Sequence, residues 1–290
     1  MIVFILRLVT KLCPFPRLKV ILARITLKVK EALGYISPRD MRRFMEIQKA
    51  EIIRSVQRSL EISMLHRKSF GGVKNSFMGK SVALIGAGPS TLKYKPIPGV
   101  INVGLNRACL LHGINFDYLF TIDKAGVDKI YNDFGRSPCI KFVGDQCLGP
   151  EFQIPESVIA KWCNVRRYKT DTDLKHIESQ FSLDIENEAL GNFNTVSLQA
   201  MQFILYGNPS KIYIVGIDCS NAGHFTNKQG DKDEMRIRVK SRGEDIDEWA
   251  DTTRQYWLKL KEFAKTYYPY TEIISVNPVG LRGVFKDLDQ

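Results

Sequence analysis

The sequence predicts an α/β protein: a mostly parallel sheet with helices on both faces, preceded by an N-terminal helical extension. Three observations lead there. A short apolar run, Ser81–Ile85, ends abruptly in Gly86-Ala87-Gly88-Pro89-Ser90. Further short apolar runs follow it, alternate with helical patterns and end in asparagine, aspartate or glycine. The composition, 44% hydrophobic and 25% charged over 290 residues, is that of a globular chain with a sizeable core. Continuous apolar runs of this length are buried parallel strands. With the glycine turn at the end of the first of them, the pattern is Rossmann-like.

The glycine turn carries the first chemical expectation. Gly86 and Gly88 let the backbone turn sharply and approach a bound group closely. Pro89, with its preset φ and no N–H, suits the first turn of a helix. Ser90 then offers a hydroxyl and an N–H to an anion. Thr91 stands where a dinucleotide fingerprint has its third glycine, so a plain glycine turn without a ligand stays open.

The net charge of +11 is concentrated at one end. Residues 1–80 hold 17 Lys and Arg against 5 Asp and Glu, and residues 81–290 hold 25 against 26. A neutral body argues against a nucleic-acid groove across the sheet, and the basic excess points to an arm with its own partner. The six cysteines, at 13, 109, 139, 147, 163 and 219, form no Cys-x-x-Cys pair and have no zinc spacing. They read as reduced core residues of a cytoplasmic protein.

Residues 1–9 are apolar apart from Arg7, too short a run to span a bilayer, and no signal-peptide cleavage site follows. Leu18 to Lys30 mixes apolar and basic residues without an acid. It reads as a helix lying on an anionic membrane, or else packed on the body or a partner. Ser37-Pro38-Arg39-Asp40 opens a long helix through about His66, and Ser69–Gly79 reads as a glycine-rich linker. The boundary is therefore expected between residues 79 and 80, with a helical extension at 1–79 and a Rossmann-like body at 80–290.

Strands follow at Val100–Leu105, Tyr118–Ile122 and Cys139–Val143, ending at Asn106, at Asp123 and near Asp145. Helices are expected at Arg107–His112 and Lys124–Asp133. Asn106 and Asp123 either meet a ligand at the sheet edge or cap the next helix. Residues 151–188 give no clear pattern and are expected to cover the sheet. Thr195 opens a helix at Val196–Leu205, Lys211–Val215 is a strand ending in Gly216-Ile217-Asp218, and a polar segment at about 219–243 has the character of a lid. His224 lies at its start. A helix from Glu244 to Tyr267 and a last strand, Glu272–Val276, complete the body, closed by Asn277-Pro278-Val279-Gly280-Leu281.

The glycine turn, the block Thr195–Asp218 and the closing Asn277–Leu281 stretch together resemble the bacterial lipooligosaccharide sialyltransferases (glycosyltransferase family forty-two). They also resemble a broader group sharing a fold with the archaeal 6-hydroxymethylpterin diphosphokinases. The resemblance covers about Lys80 to Leu288. It implies an inverting glycosyltransferase that binds a CMP-sugar, sialic-acid-like or Kdo-like, with no metal and no cofactor. It places Gly86, Gly88, Pro89, Ser90, Asn106, Asp123, Thr195, Gly216 and Asp218 around the nucleotide, and His224 as the lid base. Asp123 departs from that family's asparagine, and its Arg-x-Thr-Ser stretch reads Asn192-Phe193-Asn194-Thr195 here.

The acceptor implied is a glycan or glycolipid of the cell surface. The basic arm would hold the enzyme in the cytoplasm at the inner face of the bacterial membrane, and a homo-oligomer stays open. A competing expectation is a Mg-dependent diphosphokinase-like enzyme, with Asp123, Asp145 and Asp218 as clustered carboxylates. A third is a non-catalytic scaffold.

Overall fold

Ser81–Ile85 (β1) is the strand on which the sheet is laid out, in a computed structural model that describes residues 23–29, 38–122, 124–145, 153–171, 180–193, 195–220, 223–226 and 246–290. β1 pairs in parallel with β2 (Ile101–Leu105) on one side and with β6 (Lys211–Val215) on the other. Outward from β2 lie β3 (Tyr118–Thr121), β4 (Ile140–Asp145) and β5 (Val165–Lys169). Outward from β6 lie β7 (Glu272–Val276) and β8 (Lys286–Leu288). The order is β5-β4-β3-β2-β1-β6-β7-β8, and every pairing is parallel. The chain moves one way from β1 to β5, then returns to the other side of β1. That reversal opens a crevice at the carboxyl ends of β1 and β6, the place where such sheets bind ligands. The expected Rossmann-like architecture is the observed one.

The helices are α1 (Pro38–Phe70), α2 (Lys124–Val127), α3 (Tyr131–Arg136), α4 (Glu156–Ile159), α5 (Val196–Tyr206) and α6 (Ile246–Tyr267), with 3-10 turns at Pro89–Lys93 and Asn106–Leu110. One sheet face carries Leu84, Leu105, Phe120, Phe142 and Ile214 into a core shared with α5 and α6. Phe120 and Phe142 stack at 4.5 Å between centroids, and Phe203 of α5 meets Phe142 at 5.0 Å. All eleven residues of α5 are buried, which suits a helix that is apolar nearly all round. The opposite face buries Ala83, Ile85 and Val215 under Tyr94 and Ala108, and Leu119 and Val143 under α2, α3 and α4.

Several elements differ from expectation, each for a local reason. The helix expected at Arg107–His112 is a five-residue 3-10 turn starting at Asn106. That expected at Lys124–Asp133 breaks into α2 and α3, interrupted at Ile130 with φ −131° and ψ 21°. Two strands lie where none was expected, β5 and β8, and both are edges. β5 reads Val-Arg-Arg-Tyr-Lys, and its charges are used: Arg166 Nη1 donates to Ser69 O at 2.8 Å and Arg167 pairs with Asp145 at 2.8 Å. An edge strand is polar by necessity and so lacks the apolar run that marks a buried one.

The chain divides into two compact units, residues 1–61 and 62–290. The boundary falls inside α1 and not at residue 79. The glycine-rich stretch at 69–79 is part of the body, because Phe70, Val73 and Phe77 within it are buried. Phe70 stacks on Phe142 at 5.2 Å, and Phe77 fills the space that Gly207 leaves open. Within the first unit, residues 23–29 are helical, inside the expected Leu18–Lys30 segment, and Arg24 Nη2 donates to Gln48 Oε1 at 3.3 Å. No helix among the described residues is long and apolar enough to cross a membrane.

His66, fully buried near the end of α1, joins two distant segments. Its Nε2 accepts the Lys169 N–H at 2.8 Å, which leaves Nδ1 to donate to Ile185 O at 2.8 Å. Burial lowers the pKa below the ordinary histidine value, outweighing the carbonyl contacts that raise it. The folded state therefore holds the neutral ring, and this contribution is complete above the unfolded pKa of about 6.5. It is lost as pH falls below that value, because the unfolded chain then binds the proton more readily. His66→Gln, which can present an amide oxygen to Lys169 and an N–H to Ile185, should flatten the fall in stability between about pH 7 and pH 5. Urea midpoints of the two proteins at both pH values check this.

Candidate functional site

The carboxyl ends of β1 and β6 are joined by backbone hydrogen bonds before any side chain contributes. Gly86 N–H donates to Val215 O at 2.8 Å and Gly88 N–H to Gly216 O at 2.9 Å. A Cβ on Gly86 would lie 2.5 Å from Gly216 O, and Gly216 has φ +64°. Thr91 takes the place of a third glycine constructively: its Oγ1 donates to Gly86 O at 3.1 Å and lies where a Gly216 side chain would stand.

Asp218, only 8% exposed, closes the turn. Its carboxylate accepts the Ser90 N–H at 3.0 Å and the Ser90 hydroxyl. A Cβ on Gly88 would come 2.5 Å from Asp218 Cγ, so only glycine leaves room for the carboxylate. Asp218 thus fills the anion position at the start of the Pro89–Lys93 turn, and both Ser90 groups expected to face a phosphate are bonded to it. The third motif locks on behind: Gly280 N–H donates to Asp218 O at 2.8 Å. Asn277, at φ 47°, donates its N–H to Leu288 O and accepts the Gln290 N–H at its Oδ1. A small cavity lined by Ser90, Gly216, Asp218, Ser275 and Pro278 lies between these turns, and Ser275 Oγ has no partner.

Beside this stitched turn lies a floor with unmet polar atoms. Asn106 follows β2 at φ 47°, with its side chain against Gly126 and not on a helix cap. Its Oδ1 is buried and has no hydrogen-bond partner among the described residues. Leu105 is in register with Phe120; Asn106 follows just past the end of β2, and Thr121 is the last residue of β3. Thr121 Oγ1 is likewise buried and has no partner among the described residues. Buried polar atoms are seldom left so, which makes Asn106 and Thr121 the candidate ligand contacts at this edge.

A roof lies over the glycine turn. Phe225 N–H donates to Ala87 O at 2.8 Å, and Arg107 Nη1 donates to Thr226 Oγ1 at 3.3 Å. His224, half-buried, immediately precedes Phe225 and Thr226 in the chain. Arg107 is 5% exposed and brings a guanidinium to the same edge. Thr195 caps α5: its Oγ1 accepts the Ser197 N–H at 3.4 Å and pairs with Ser197 Oγ at 2.8 Å. Gln199 one turn on accepts the Tyr168 hydroxyl at 2.9 Å and leaves its own Nε2 buried without a partner.

Gly86, Gly88, Pro89, Ser90, Gly216 and Asp218 are thus one joined unit, with Asn106 on the floor, His224 in the roof and Thr195 at the start of α5. Asp123 lies outside the described residues, as do 221–222 and 227–245 of the lid segment. Thr121, Arg107 and Gln199 escaped the sequence reading. Thr121 had a faint signal, as the polar last residue of an apolar run. Arg107 and Gln199 had none, because only the folded chain buries them.

Of the carboxylates proposed for a magnesium cluster, Asp218 is bonded to Ser90 and Asp145 to Arg167 and Lys169. Burial opposes the charge on Asp145, yet the Lys169 ammonium and Arg167 guanidinium hold its carboxyl below the usual range. Among the described residues no group of three His, Cys, Asp or Glu is arranged to hold a metal ion.

No protein-family model matches the chain, and no curated protein matches it. Among solved structures, the sialyltransferase CstII from Campylobacter jejuni, in complex with the substrate analogue CMP-3FNeuAc, is similar at 12% identity. The match covers 68% of this chain and 80% of that one, with a TM-score of 0.39. A likeness of that size carries no argument about activity.

The stitched turn makes its own prediction. Asp218→Ala leaves the Ser90 N–H and hydroxyl without their acceptor, which should cost about 1–3 kcal/mol. Gly88→Ala should also destabilise, since its methyl collides with the same carboxylate. Denaturant unfolding of both variants against the parent measures this.

Proposed function

We propose that this chain is a glycosyltransferase that takes a sialic-acid-like or Kdo-like sugar from a CMP-sugar and passes it to a cell-surface glycan or glycolipid. The observation that carries the reading is the roofed floor beside the β1/β6 reversal. Asn106 Oδ1 calls for a hydrogen-bond donor, and Thr121 Oγ1 can donate or accept. A ribose hydroxyl or the amino group of cytosine meets that demand. Phe225 of segment 223–226 bonds Ala87 of the glycine turn, and His224, the one histidine of the lid, is its neighbour in sequence, which supports the reading.

In this reading the donor lies with its nucleoside on the floor and its sugar toward the roof. An acceptor hydroxyl attacks the anomeric carbon from the face opposite the phosphate. The bond from that carbon to the phosphate oxygen breaks, its electron pair leaves with CMP, and the configuration inverts. Neutral His224 takes the acceptor's proton, work suited to an imidazole. Charge builds on the departing phosphate, and the Arg107 guanidinium and the N-terminal turn of α5 supply the stabilising potential. In this scheme these groups take that part without a metal. The roof excludes water that would otherwise hydrolyse the donor. Asp218 and Ser90 act in this scheme as the frame that holds the glycine turn. The basic N-terminal segment, with no acid between Leu18 and Lys30, suits attachment to the anionic cytoplasmic face of a membrane, where a lipid-linked acceptor is met.

Calorimetric titration of the full chain with CMP and with ATP, each with and without magnesium, tests the proposal. Micromolar binding of CMP without metal is expected. ATP binding that requires magnesium, or no nucleotide binding, would overturn it. Asn106→Ala should weaken CMP binding several-fold, as the loss of a hydrogen bond worth about 1 kcal/mol does. His224→Ala should lower turnover by about 100-fold or more with little change in CMP affinity.

A further inference from the structure

Lys141, near the amino end of β4 and at the sheet edge opposite the candidate site, is fully buried. A buried ammonium is costly unless its protons are taken up. None of its bonds goes to a carboxylate. Its Nζ donates to the carbonyls of Ser137, of Cys139 at 3.3 Å and of Cys163 at 3.1 Å. The remaining neighbour is the Cys163 sulfur, 3.7 Å away. Cys163 itself is an exposed residue, whereas the amine beside its sulfur is buried.

The backbone around the pair is tied from both sides. Lys141 N–H donates to Asn164 O at 2.9 Å, and Asn164 Nδ2 donates to Pro138 O at 2.9 Å. The sulfur also lies 3.8 Å from Gly135 O and 3.9 Å from Ser137 O. Sulfur and nitrogen are therefore held near bonding reach by fixed chain segments, not by two mobile side chains. Three other described thiols are buried or half-buried. Burial pushes Cys109 and Cys219 up to about 12 and raises Cys139, which keeps all three protonated and unreactive.

We propose that Cys163 and Lys141 form a reversible sulfur–nitrogen cross-link when the protein meets a peroxide. In the first step the Cys163 sulfur attacks one oxygen of hydrogen peroxide. The O–O bond breaks, sulfur is oxidised by two electrons to the sulfenic acid, and water leaves. In the second step Lys141 releases a proton and one carbonyl contact, and its nitrogen lone pair attacks the sulfenic sulfur. The S–O bond breaks, a second water leaves, and an S–N bond joins β4 to the turn before β5. A thiol reductant restores both side chains. The edge strand β5 is then covalently anchored in oxidising conditions and released in reducing ones. The inference stands apart from the proposed sugar transfer.

The test treats the full-length protein with hydrogen peroxide and maps its peptides by mass spectrometry. A Lys141–Cys163 linked pair, lighter by two hydrogens than its separate peptides and reversed by dithiothreitol, is expected. The link should be absent from Cys163→Ser and Lys141→Arg, and should raise the melting temperature of the parent alone. The exposed serine variant serves where the buried arginine one does not fold. Oxidation of Cys163 to sulfinic or sulfonic acid without a link, a Cys139–Cys163 disulfide, or an unreactive Cys163 would each overturn it.

Discussion

Asp218 reaches across the reversal of the sheet to take the N–H and hydroxyl of Ser90, and much of this edge depends on that contact. It sets the path of the glycine turn, because the carboxylate lies where any Cβ on Gly88 would be. It sets the path of the closing stretch, because the backbone oxygen of the same residue receives Gly280 N–H. Three motifs far apart in the chain become one framework. In many sheets of this kind a bound phosphate sits where the first turn after β1 begins. Here an internal carboxylate occupies that position, and the turn is a 3-10 helix of five residues.

The polar atoms that lack partners among the described residues lie toward β2 and β3. The contrast within one edge is sharp. Around β1 and β6 the glycine turn, Thr91, Ser90 and Asp218 meet one another's needs. One strand over, Asn106 Oδ1 and Thr121 Oγ1 are buried and unmet. Folding tolerates such atoms at a cost of about 1–3 kcal/mol each, unless something else supplies the missing bond. Phe225 and Thr226 bond to Ala87 and Arg107 at the same carboxyl edge, directly after His224 in the chain.

The two outer edges of the sheet show how charge is accommodated where apolar cover ends. On β5 the arginines and Lys169 answer Asp145, Glu156 and the carbonyl of Ser69. On β8 three exposed residues complete the sheet, and Lys286 pairs with Glu272 of β7 at 2.6 Å. Exposed pairs of this kind add about 0–1 kcal/mol. Their larger effect is to keep the sheet edges from pairing with another chain.

The sequence by itself determined the elements whose evidence is local. Strands β1, β2, β3, β4, β6 and β7 announced themselves as apolar runs, α5 by Thr195 and its apolar surface, and the carboxyl edge by the polar residues that end the strands. Burial of an apolar run needs no particular partner, so a local pattern suffices to foretell it. Tertiary structure decided everything that depends on which polar group meets which. Ser90 and Asp218 are 128 residues apart, and nothing in either neighbourhood says that they bond. The same holds for His66 with Lys169, and for the polar strands β5 and β8. The glycine-rich stretch at 69–79 reads as a linker until Phe70 and Phe77 find Phe142 and Phe203. A hydrogen bond is directional and needs its partner within about 3 Å, so its identity emerges only once the chain is folded.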